Sequence, residues 1–157
     1  MGALKSRQFS GAVSDQEAAF KISAATDYRE FINYASYLRS ANRIADSLAP
    51  LRAAEALDSA AGNIGMMTQY NLGWTLQELG QHEEAIASFS RGIPLQPDYA
   101  FVYYRRGISL EALGRKEEAR TDFQMAAQLI KKSPDIERKS GKFMPQLREK
   151  FKAYGIE

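Results

Sequence analysis

Residues 66–99 read MMTQYNLGWTLQELGQHEEAIASFSRGIPLQPDY, and residues 100–133 read AFVYYRRGISLEALGRKEEARTDFQMAAQLIKKS. When the first stretch is laid on the second so that Tyr70 falls on Tyr104, ten positions are identical. Self-similarity at one fixed offset is the signature of a stacked-repeat architecture. The chain is therefore predicted to contain two copies of one structural unit.

Each copy has the pattern of a helical hairpin. Apolar residues recur every three or four positions, as in Leu72, Leu76 and Leu79, which is typical of a helix with one buried face. Gly80 and Gly114 follow such runs, and glycine ends a helix there because it accepts a left-handed backbone conformation. A second apolar run follows each of these glycines, so each copy is predicted to hold two helices.

Two other glycines, Gly73 and Gly107, lie inside the first helix of each copy, where glycine costs about 1 kcal/mol relative to alanine. A packing reason is expected for a residue with that cost. We predict that these glycines face Ala85 and Ala119 on the second helix, so that the two helices approach closely. Phe89 and Phe123 are then predicted to fill the space between successive hairpins.

The strings NLGWTLQELGQHEEAIASFSRGIPLQP and YRRGISLEALGRKEEARTDFQMAAQLIKKSP resemble the tetratricopeptide repeat. That family repeats every ~34 residues, as the two copies do here. Two positions depart from the family pattern. Arg106 replaces an expected leucine, and Pro94 is expected to bend its helix or end it early. The resemblance implies an all-α fold, a right-handed superhelical stack of antiparallel helix pairs (a TPR-like α-solenoid).

The remaining sequence is expected to complete one TPR-like domain over residues 14–157, after a flexible N-terminus over residues 1–13. Ser14 and Glu17 form a capping box, which predicts a short helix within residues 14–27.

Residues 28–65 are predicted to form a degenerate third repeat. Tyr28 to Asp46 has the pattern of one long helix, and a second helix should begin near Pro50 and run to about Ala61. Laying Tyr34 on Met66 makes this unit slightly shorter than the two clear copies. Stacked hairpins need about three units for stability, which favours a third repeat.

Residues 134–157 form a basic segment after the last repeat. A helical turn is predicted between Pro134 and Ser140, and a helix from Pro145 to Tyr154. A terminal repeat needs a cap with a polar outer face. The last helix is therefore expected to be a capping helix whose basic residues face water, namely Arg148, Lys150 and Lys152.

Composition argues against several classes of protein. The absence of cysteine excludes disulfides and thiolate chemistry, and a net charge of +2 is too small to imply a polyanionic partner. The lysines of the basic segment are not interleaved with exposed aromatic residues, so no nucleic-acid partner is expected. No apolar run is long enough to cross a bilayer and no signal peptide is evident, so we expect no membrane insertion and a cytoplasmic location.

Catalytic chemistry has little support in the sequence. His82 is the only histidine and is predicted to lie at the surface, which leaves no catalytic triad or histidine metal cluster. The acidic pairs Glu83-Glu84 and Glu117-Glu118 fall in first turns of helices, where they interact favourably with the helix dipole. We therefore expect no catalytic residues, no metal, no cofactor and no enzymatic activity.

A binding groove is the main functional prediction. In the family resembled here, the first helices of stacked repeats line a continuous concave surface. A groove rich in Tyr, Trp, Met and Arg has the composition of a binding hot spot. The competing interpretation is that Trp74 and Phe101 pack on the N-terminal segment or on each other. The predicted peptide-binding residues are Arg39, Asn42, Met67, Tyr70, Asn71, Trp74, Phe101, Tyr104, Arg105 and Ile108.

The resemblance also invites comparison with tetratricopeptide co-chaperones, which grip the C-terminal carboxylate of heat-shock chaperones with two asparagines, two lysines and an arginine. Asn42, Asn71 and Arg105 match the asparagines and the arginine, whereas Leu38 and Phe101 stand where the lysines should be. Losing two cations removes much of the charge-assisted bonding to a carboxylate. The pattern therefore argues against that clamp.

Three functions stay open at this level. The first is a non-catalytic interaction module, or adaptor, that binds a peptide segment of a partner protein. The second is a small chaperone similar to the three-repeat chaperones of type III secretion, although those are usually acidic. The third is a structural subunit of a larger assembly, which includes a homo-oligomer.

Overall fold

The computed structural model describes residues 27–133, 135 and 144–156, and over these residues the protein is all-α without a strand. The chain forms a right-handed superhelical stack of antiparallel helix pairs, as predicted. The predictions for residues 1–26 and 136–143 lie outside the described residues. The helices are α1 (Tyr28–Ser40), α2 (Leu48–Ala60), α3 (Met66–Glu78), α4 (His82–Gly92), α5 (Ala100–Ala112), α6 (Lys116–Lys132) and α7 (Met144–Ala153).

The ends of α3 and α5 are set by the predicted glycines. Gly80 and Gly114 both have φ +75°, a conformation that residues with side chains rarely adopt. The next amide in each case donates back to the preceding helix, with 2.9 Å between Gln81 N and Leu76 O. This bond satisfies a carbonyl that the helix end would otherwise leave unpaired. These local signals confirm the two predicted hairpins, α3–α4 and α5–α6.

The end of α1 differs from the prediction. The helix stops at Ser40, so the predicted long helix through Asp46 is wrong. Asn42 has φ 61°, and the Arg43 amide donates to Leu38 O at 2.8 Å, which is the arrangement that glycine provides in the other hairpins. Asparagine adopts this conformation more readily than most residues, but it is a weaker signal in a sequence than glycine.

This helix end corrects the register of the first unit. Helices α1, α3 and α5 each contain 13 residues, so Tyr28, the first residue of α1, takes the place of Met66, the first residue of α3. The predicted alignment of Tyr34 with Met66 is therefore wrong, and the first unit is longer than the two clear copies rather than shorter. Helix α2 begins at Leu48, close to the predicted start near Pro50.

Helix α4 is shorter than its counterpart α6, with 11 residues against 17. The chain after Gly92 tightens into a 3₁₀ turn, Ile93–Leu95, that contains Pro94. Because proline has no amide hydrogen and clashes with the preceding turn of a helix, it ends α4 early, as predicted.

The core contains the two phenylalanine rings, Phe89 and Phe123, both fully buried. A Cβ atom built on Gly73 would lie 2.7 Å from Cε1 of Phe89, and one built on Gly107 would lie 2.6 Å from Cε1 of Phe123. The glycines therefore make room for the rings, whereas the prediction placed alanines opposite them. Ala85 is also fully buried, but it is not the contact that requires glycine.

Helix α7 covers the end of the stack, as expected for a cap. Leu147 and Phe151 are buried, and the Tyr154 ring lies 5.0 Å from the Phe123 ring. Lys150 is only partly exposed to water, at 29% of its side chain, because its Nζ lies 2.6 Å from a carboxylate oxygen of Glu111. Tyr154 donates its hydroxyl to the other oxygen of Glu111 at 2.9 Å.

Among the helices of the described ranges, none is both long enough and apolar enough to cross a membrane.

Candidate binding groove

The first helices of the three pairs and the capping helix α7 surround a cavity of about 570 Å³, which we call the groove. This volume falls within the range of about 300–1,000 Å³ that is usual for ligand sites. Its walls are lined by Ile32, Asn33, Ser36, Arg39, Met67, Tyr70, Asn71, Trp74, Tyr99, Phe101, Tyr104, Arg105, Ile108, Gln146 and Leu147.

The structure brings nine of the ten predicted residues to the groove. The exception is Asn42, which lies exposed in the turn after α1 because its positive φ ends that helix. In the corrected register the residue equivalent to Asn71 is Asn33, which does line the groove. Peptide binding by these residues stays a prediction.

Six lining residues were not predicted: Tyr99 is the residue just before α5, and the other five were missed for two reasons. Ile32, Asn33 and Ser36 belong to α1, whose register was misread because its terminator is asparagine. Gln146 and Leu147 lie on the capping helix, and no local pattern indicates that a cap also forms one wall of the groove.

Trp74 lies at the centre of the groove, half-buried on α3. The Arg105 guanidinium carbon is 3.6 Å from the centroid of the indole ring, and that of Arg39 is 4.3 Å from it. The indole N–H donates to Glu78 Oε1 at 2.8 Å. Trp74 is therefore held by one cation from each neighbouring first helix, an attraction that strengthens where water is excluded.

Arg39 is fixed by neutral acceptors. It donates to the Asn71 side chain at 2.7 Å and to the Asn71 carbonyl at 3.2 Å. It also donates to the hydroxyls of Thr75 and Ser36, at 3.2 and 3.3 Å. Burial lowers the pKa of Arg39 and the charge of Arg105 also lowers it, against the opposing effect of Glu78, so that the pKa is about 10.

Arg105 is held more loosely. Its Nε donates to the Tyr70 hydroxyl at 3.3 Å, and its Nη1 donates to Gln77 Oε1 at 3.0 Å. Gln77 in turn donates to the Arg105 carbonyl at 2.7 Å and to the Ser109 hydroxyl at 2.8 Å. This network orients the guanidinium towards Trp74 and the groove.

Aromatic rings form the wall between α3 and α5. The Tyr70 and Tyr99 rings meet edge to face with 5.1 Å between centroids, and Phe101 lies 5.7 Å from Tyr99. Burial raises the pKa of Tyr99, and it also raises the pKa of Tyr104 on α5. Both phenols therefore stay neutral at physiological pH and can donate hydrogen bonds.

The two clamp positions that the sequence placed in the first repeat, Leu38 and Asn42, do not line the groove, whereas Asn33, the equivalent of Asn71 in the corrected register, lines it together with Asn71 and Arg105. Asn42 lies outside the groove, and Leu38 is buried in the core with an exposure of 1%. The Asn71 amide donates one N–H to the Met67 carbonyl at 2.8 Å, and its oxygen accepts from Arg39.

The histidine and the acidic pairs that the sequence considered for catalysis lie at the starts of second helices. His82 is the first residue of α4, half-buried, with Nδ1 3.4 Å from the Ser109 hydroxyl. The acidic pairs lie in the first turns of α4 and α6, as predicted. Among the residues that the structure describes, no three His, Cys, Asp or Glu side chains form a group that could hold a metal ion.

Family models match the two clear repeats. A model described as "TPR repeat" covers residues 73–114, and a model described as "Tetratricopeptide repeat" covers residues 100–133. The matches include the helix-ending glycines and the acidic pairs of both units. No curated protein matches the chain significantly in sequence.

Solved structures share the fold. The type III secretion translocator chaperone SycD of Yersinia enterocolitica is 21% identical, with a TM-score of 0.66 over 82% of this chain and 93% of SycD. SycD of Yersinia enterocolitica in complex with a peptide of the translocator YopD is 22% identical, with a TM-score of 0.65 over 82% of this chain and 94% of that SycD chain. A crystal structure of MamA is 20% identical, with a TM-score of 0.71 over 96% of this chain and 86% of MamA. At these identities the likeness shows the fold alone.

Proposed function

Because this chain carries tetratricopeptide repeats, we propose that it is a non-catalytic protein-interaction module that binds a peptide segment of a partner protein in the groove. The observation that carries the proposal is the cavity itself. Three successive first helices and the cap enclose about 570 Å³ around one central tryptophan, Trp74. A site of that size can take several side chains of a peptide but not a folded domain.

The chemistry of the walls supports a peptide ligand. Trp, Tyr and Arg are the residues that most often dominate binding energy at interfaces, and Trp74, Tyr104 and Arg105 all reach the groove half-buried. Their rings provide flat apolar surface, while the phenols and the guanidinium can bond to a peptide backbone or side chain. An amphipathic helix or an extended strand of a partner fits such a groove.

A second candidate is a small chaperone that holds a segment of a client protein. The observation that favours it is the match to SycD, a translocator chaperone that has been crystallised with a peptide of YopD. For both candidates a peptide occupies the groove, so the same experiment tests their shared step. The third possibility, a homo-oligomer, predicts that the apparent mass rises with concentration in size-exclusion chromatography with light scattering.

The test begins with displayed random peptides selected on the full chain. Labelled versions of the selected peptides are then titrated and followed by fluorescence anisotropy. The double variant Trp74→Ala with Arg105→Ala is expected to lose binding, since it removes the central ring and the cation stacked on it. Circular dichroism confirms that the variant keeps its helices.

The matched control is Leu95→Ala with Arg115→Ala, which also removes one apolar and one arginine side chain. Both residues are exposed and neither lines the groove. This variant is expected to bind as the wild type does. Binding that survives the groove variant, or that the control abolishes, would refute the proposed site.

A further inference from the structure

We infer that the protein has a second binding site, outside the groove, which receives a lysine side chain of a partner protein. The site is a cavity of about 190 Å³ between α2, α3 and α4, which we call the side pocket. No residue that lines the side pocket also lines the groove, so the two sites can be occupied independently. The side chains that carry the argument are those of Glu55, Asp58, Asn63, Ile64 and Arg91.

The first observation is a buried carboxylate that has no cation beside it. Asp58 lies in the last turn of α2 and lines the side pocket, yet only 8% of it is exposed. Within the described ranges Asp58 forms no ion pair, and its Oδ2 atom has no hydrogen-bond partner. Aspartate is almost never buried unless it is paired, and a buried polar atom without a partner calls for an explanation. A positively charged ligand group provides that partner.

A second unpartnered oxygen lies beside the first. The Thr68 hydroxyl is fully buried and has no hydrogen-bond partner among the described residues. A Cβ atom built on Gly65 would clash with Oδ2 of Asp58 and would lie 2.9 Å from Oγ1 of Thr68. Both oxygens therefore face one small space, which glycine leaves free of a side chain. An ammonium group has three N–H donors and no acceptor, so it can bond to both oxygens at once.

The other charged side chains at the side pocket already balance one another. Glu55 lies 3.1 Å from Arg52 and 3.4 Å from Arg91. Arg52 also lies 3.4 Å from Glu84, so two arginines face two glutamates. Asp58 is left as a single negative charge, which a ligand group with one positive charge balances. A divalent metal ion would find only this one free carboxylate, whereas such ions are usually held by several charged or neutral oxygens in a regular shell.

The rim of the side pocket favours a lysine side chain over a bare ion. Ile64 lines the pocket and is 51% exposed, which makes it the most exposed large apolar residue among those that the structure describes. Lysine carries its charge at the end of a flexible aliphatic chain, and that chain packs on apolar surface while the charge reaches further. Its ammonium group is also a compact point charge, unlike the wide planar guanidinium of arginine. The small volume of the pocket therefore fits one lysine, with its carbon chain on Ile64 and its ammonium group at Asp58.

The test uses a capped lysine, N-acetyl-lysine methylamide, which resembles a lysine within a polypeptide. It is titrated into the full chain and followed by amide chemical shifts. Saturable changes are expected at Asn63, Ile64, Gly65 and Thr68, with a dissociation constant on the order of 1 mM. The matched probe N-acetyl-norleucine methylamide has the same aliphatic chain without the ammonium group, and it is expected to bind about tenfold more weakly or worse. Sodium and potassium chloride at the same ionic strength are expected to leave these amides unmoved.

Variants of the protein assign the effect to Asp58. Asp58→Asn keeps the shape and removes the charge, so it is expected to weaken binding of the lysine probe about tenfold or more and to leave the norleucine probe unaffected. The matched control Asp98→Asn alters an exposed aspartate outside the pocket and is expected to keep the full difference between the probes. Without ligand, Asp58→Asn is expected to be at least as stable as the wild type in urea, because the buried carboxylate has no ion-pair partner to lose among the described residues.

Each contrary result has a defined meaning. Equal binding of the two probes to the wild type would overturn the inference, and that comparison needs no variant. Shifts at Asn63 and Thr68 with sodium or potassium chloride alone would show a site for a free ion, which also overturns it. A loss of stability in Asp58→Asn would show that Asp58 is a structural partner of α3. None of these results alters binding of a peptide at Trp74, so the proposed function is tested separately.

Discussion

Replacing Gly73 with alanine is expected to destabilise this protein, although the same change stabilises an ordinary helix. The reason is the Phe89 ring, which is fully buried. An added Cβ would lie 2.7 Å from Cε1, 2.8 Å from Cδ1 and 3.0 Å from Cζ of that ring. The ring cannot swing into solvent, so either the ring or the α3–α4 spacing must shift.

The magnitude follows from two opposing contributions. Alanine in place of glycine stabilises a helix interior by about 1 kcal/mol. Forcing an extra methyl group into a packed core costs about 1–3 kcal/mol. The close approach to a buried ring places Gly73→Ala towards the upper part of that range, which leaves a net loss of roughly 1–2 kcal/mol.

Gly92→Ala is the matched control within the same hairpin. There a Cβ would lie 3.4 Å from Gln69 Cβ and 3.6 Å from the Met66 carbonyl oxygen, which are ordinary contacts. This variant is expected to gain up to ~1 kcal/mol. Urea denaturation followed by far-ultraviolet circular dichroism measures the free energy of unfolding of both variants. In thermal unfolding, the melting temperatures of Gly73→Ala and Gly92→Ala should differ by roughly 5 °C or more.

A rescue variant tests the steric cause. Gly73→Ala combined with Phe89→Leu is expected to lose less stability than the sum of the two single changes, because the smaller side chain makes room for the methyl group. If Gly73→Ala instead stabilises the protein as much as Gly92→Ala does, the glycine is not required by the ring and the reasoning about this core contact is wrong.

Three more predictions concern stability. Asn42→Gly should raise the melting temperature, because glycine adopts the observed φ of 61° without strain; an unchanged or lower value would contradict this. Leu147→Ala, at a position with 1% exposure, should cost roughly 2–5 kcal/mol in urea denaturation, and a cost under ~1 kcal/mol would show that the cap is not packed. Burial raises the pKa of Glu55, but the hydrogen bonds from Gln69 and Arg52 outweigh it and hold the pKa below its ordinary value. A depressed carboxyl pKa stabilises the fold above the unfolded pKa, about 4.3, and this stability is lost as pH falls through the folded pKa. Glu55→Gln should therefore flatten the loss of stability on the acid side, and an unaltered pH profile would refute it.

The two clear hairpins could be predicted because their signals are local. Gly80 and Gly114 end helices through their own backbone conformation, and Pro94 shortens α4 through its missing amide hydrogen. The constant spacing between the two copies then places each first helix beside the next. The resemblance to the tetratricopeptide family then gives the groove positions on α3 and α5, and these include Trp74 and Arg105.

The first hairpin could not be placed in the same way. Its terminator is Asn42, and asparagine occurs in many settings besides a helix end, so the periodic apolar pattern carried the predicted helix on to Asp46. One misplaced helix end moved the start of the repeat from Tyr28 to Tyr34. That shift of six residues put Asn42, which does not line the groove, in the place of Ser36, which does.

Contacts between distant parts of the chain were also beyond sequence reasoning. Nothing near Lys150 indicates that it pairs with Glu111, which lies 39 residues earlier in the chain. The stacking of Arg39 and Arg105 on Trp74 likewise depends on how three helices meet. The groove positions of the resembled family identified Arg105 correctly, whereas Arg39 was predicted from a register that the structure corrects and lies in the groove all the same.

Amide chemical-shift mapping of the full chain with one selected peptide tests the central claim most directly. The largest changes are expected on the groove faces of α1, α3, α5 and α7, together with the Trp74 indole N–H and the Arg105 side chain. Changes confined to the second helices, α2, α4 and α6, with the Trp74 indole signal unmoved, would contradict a binding groove formed by the first helices.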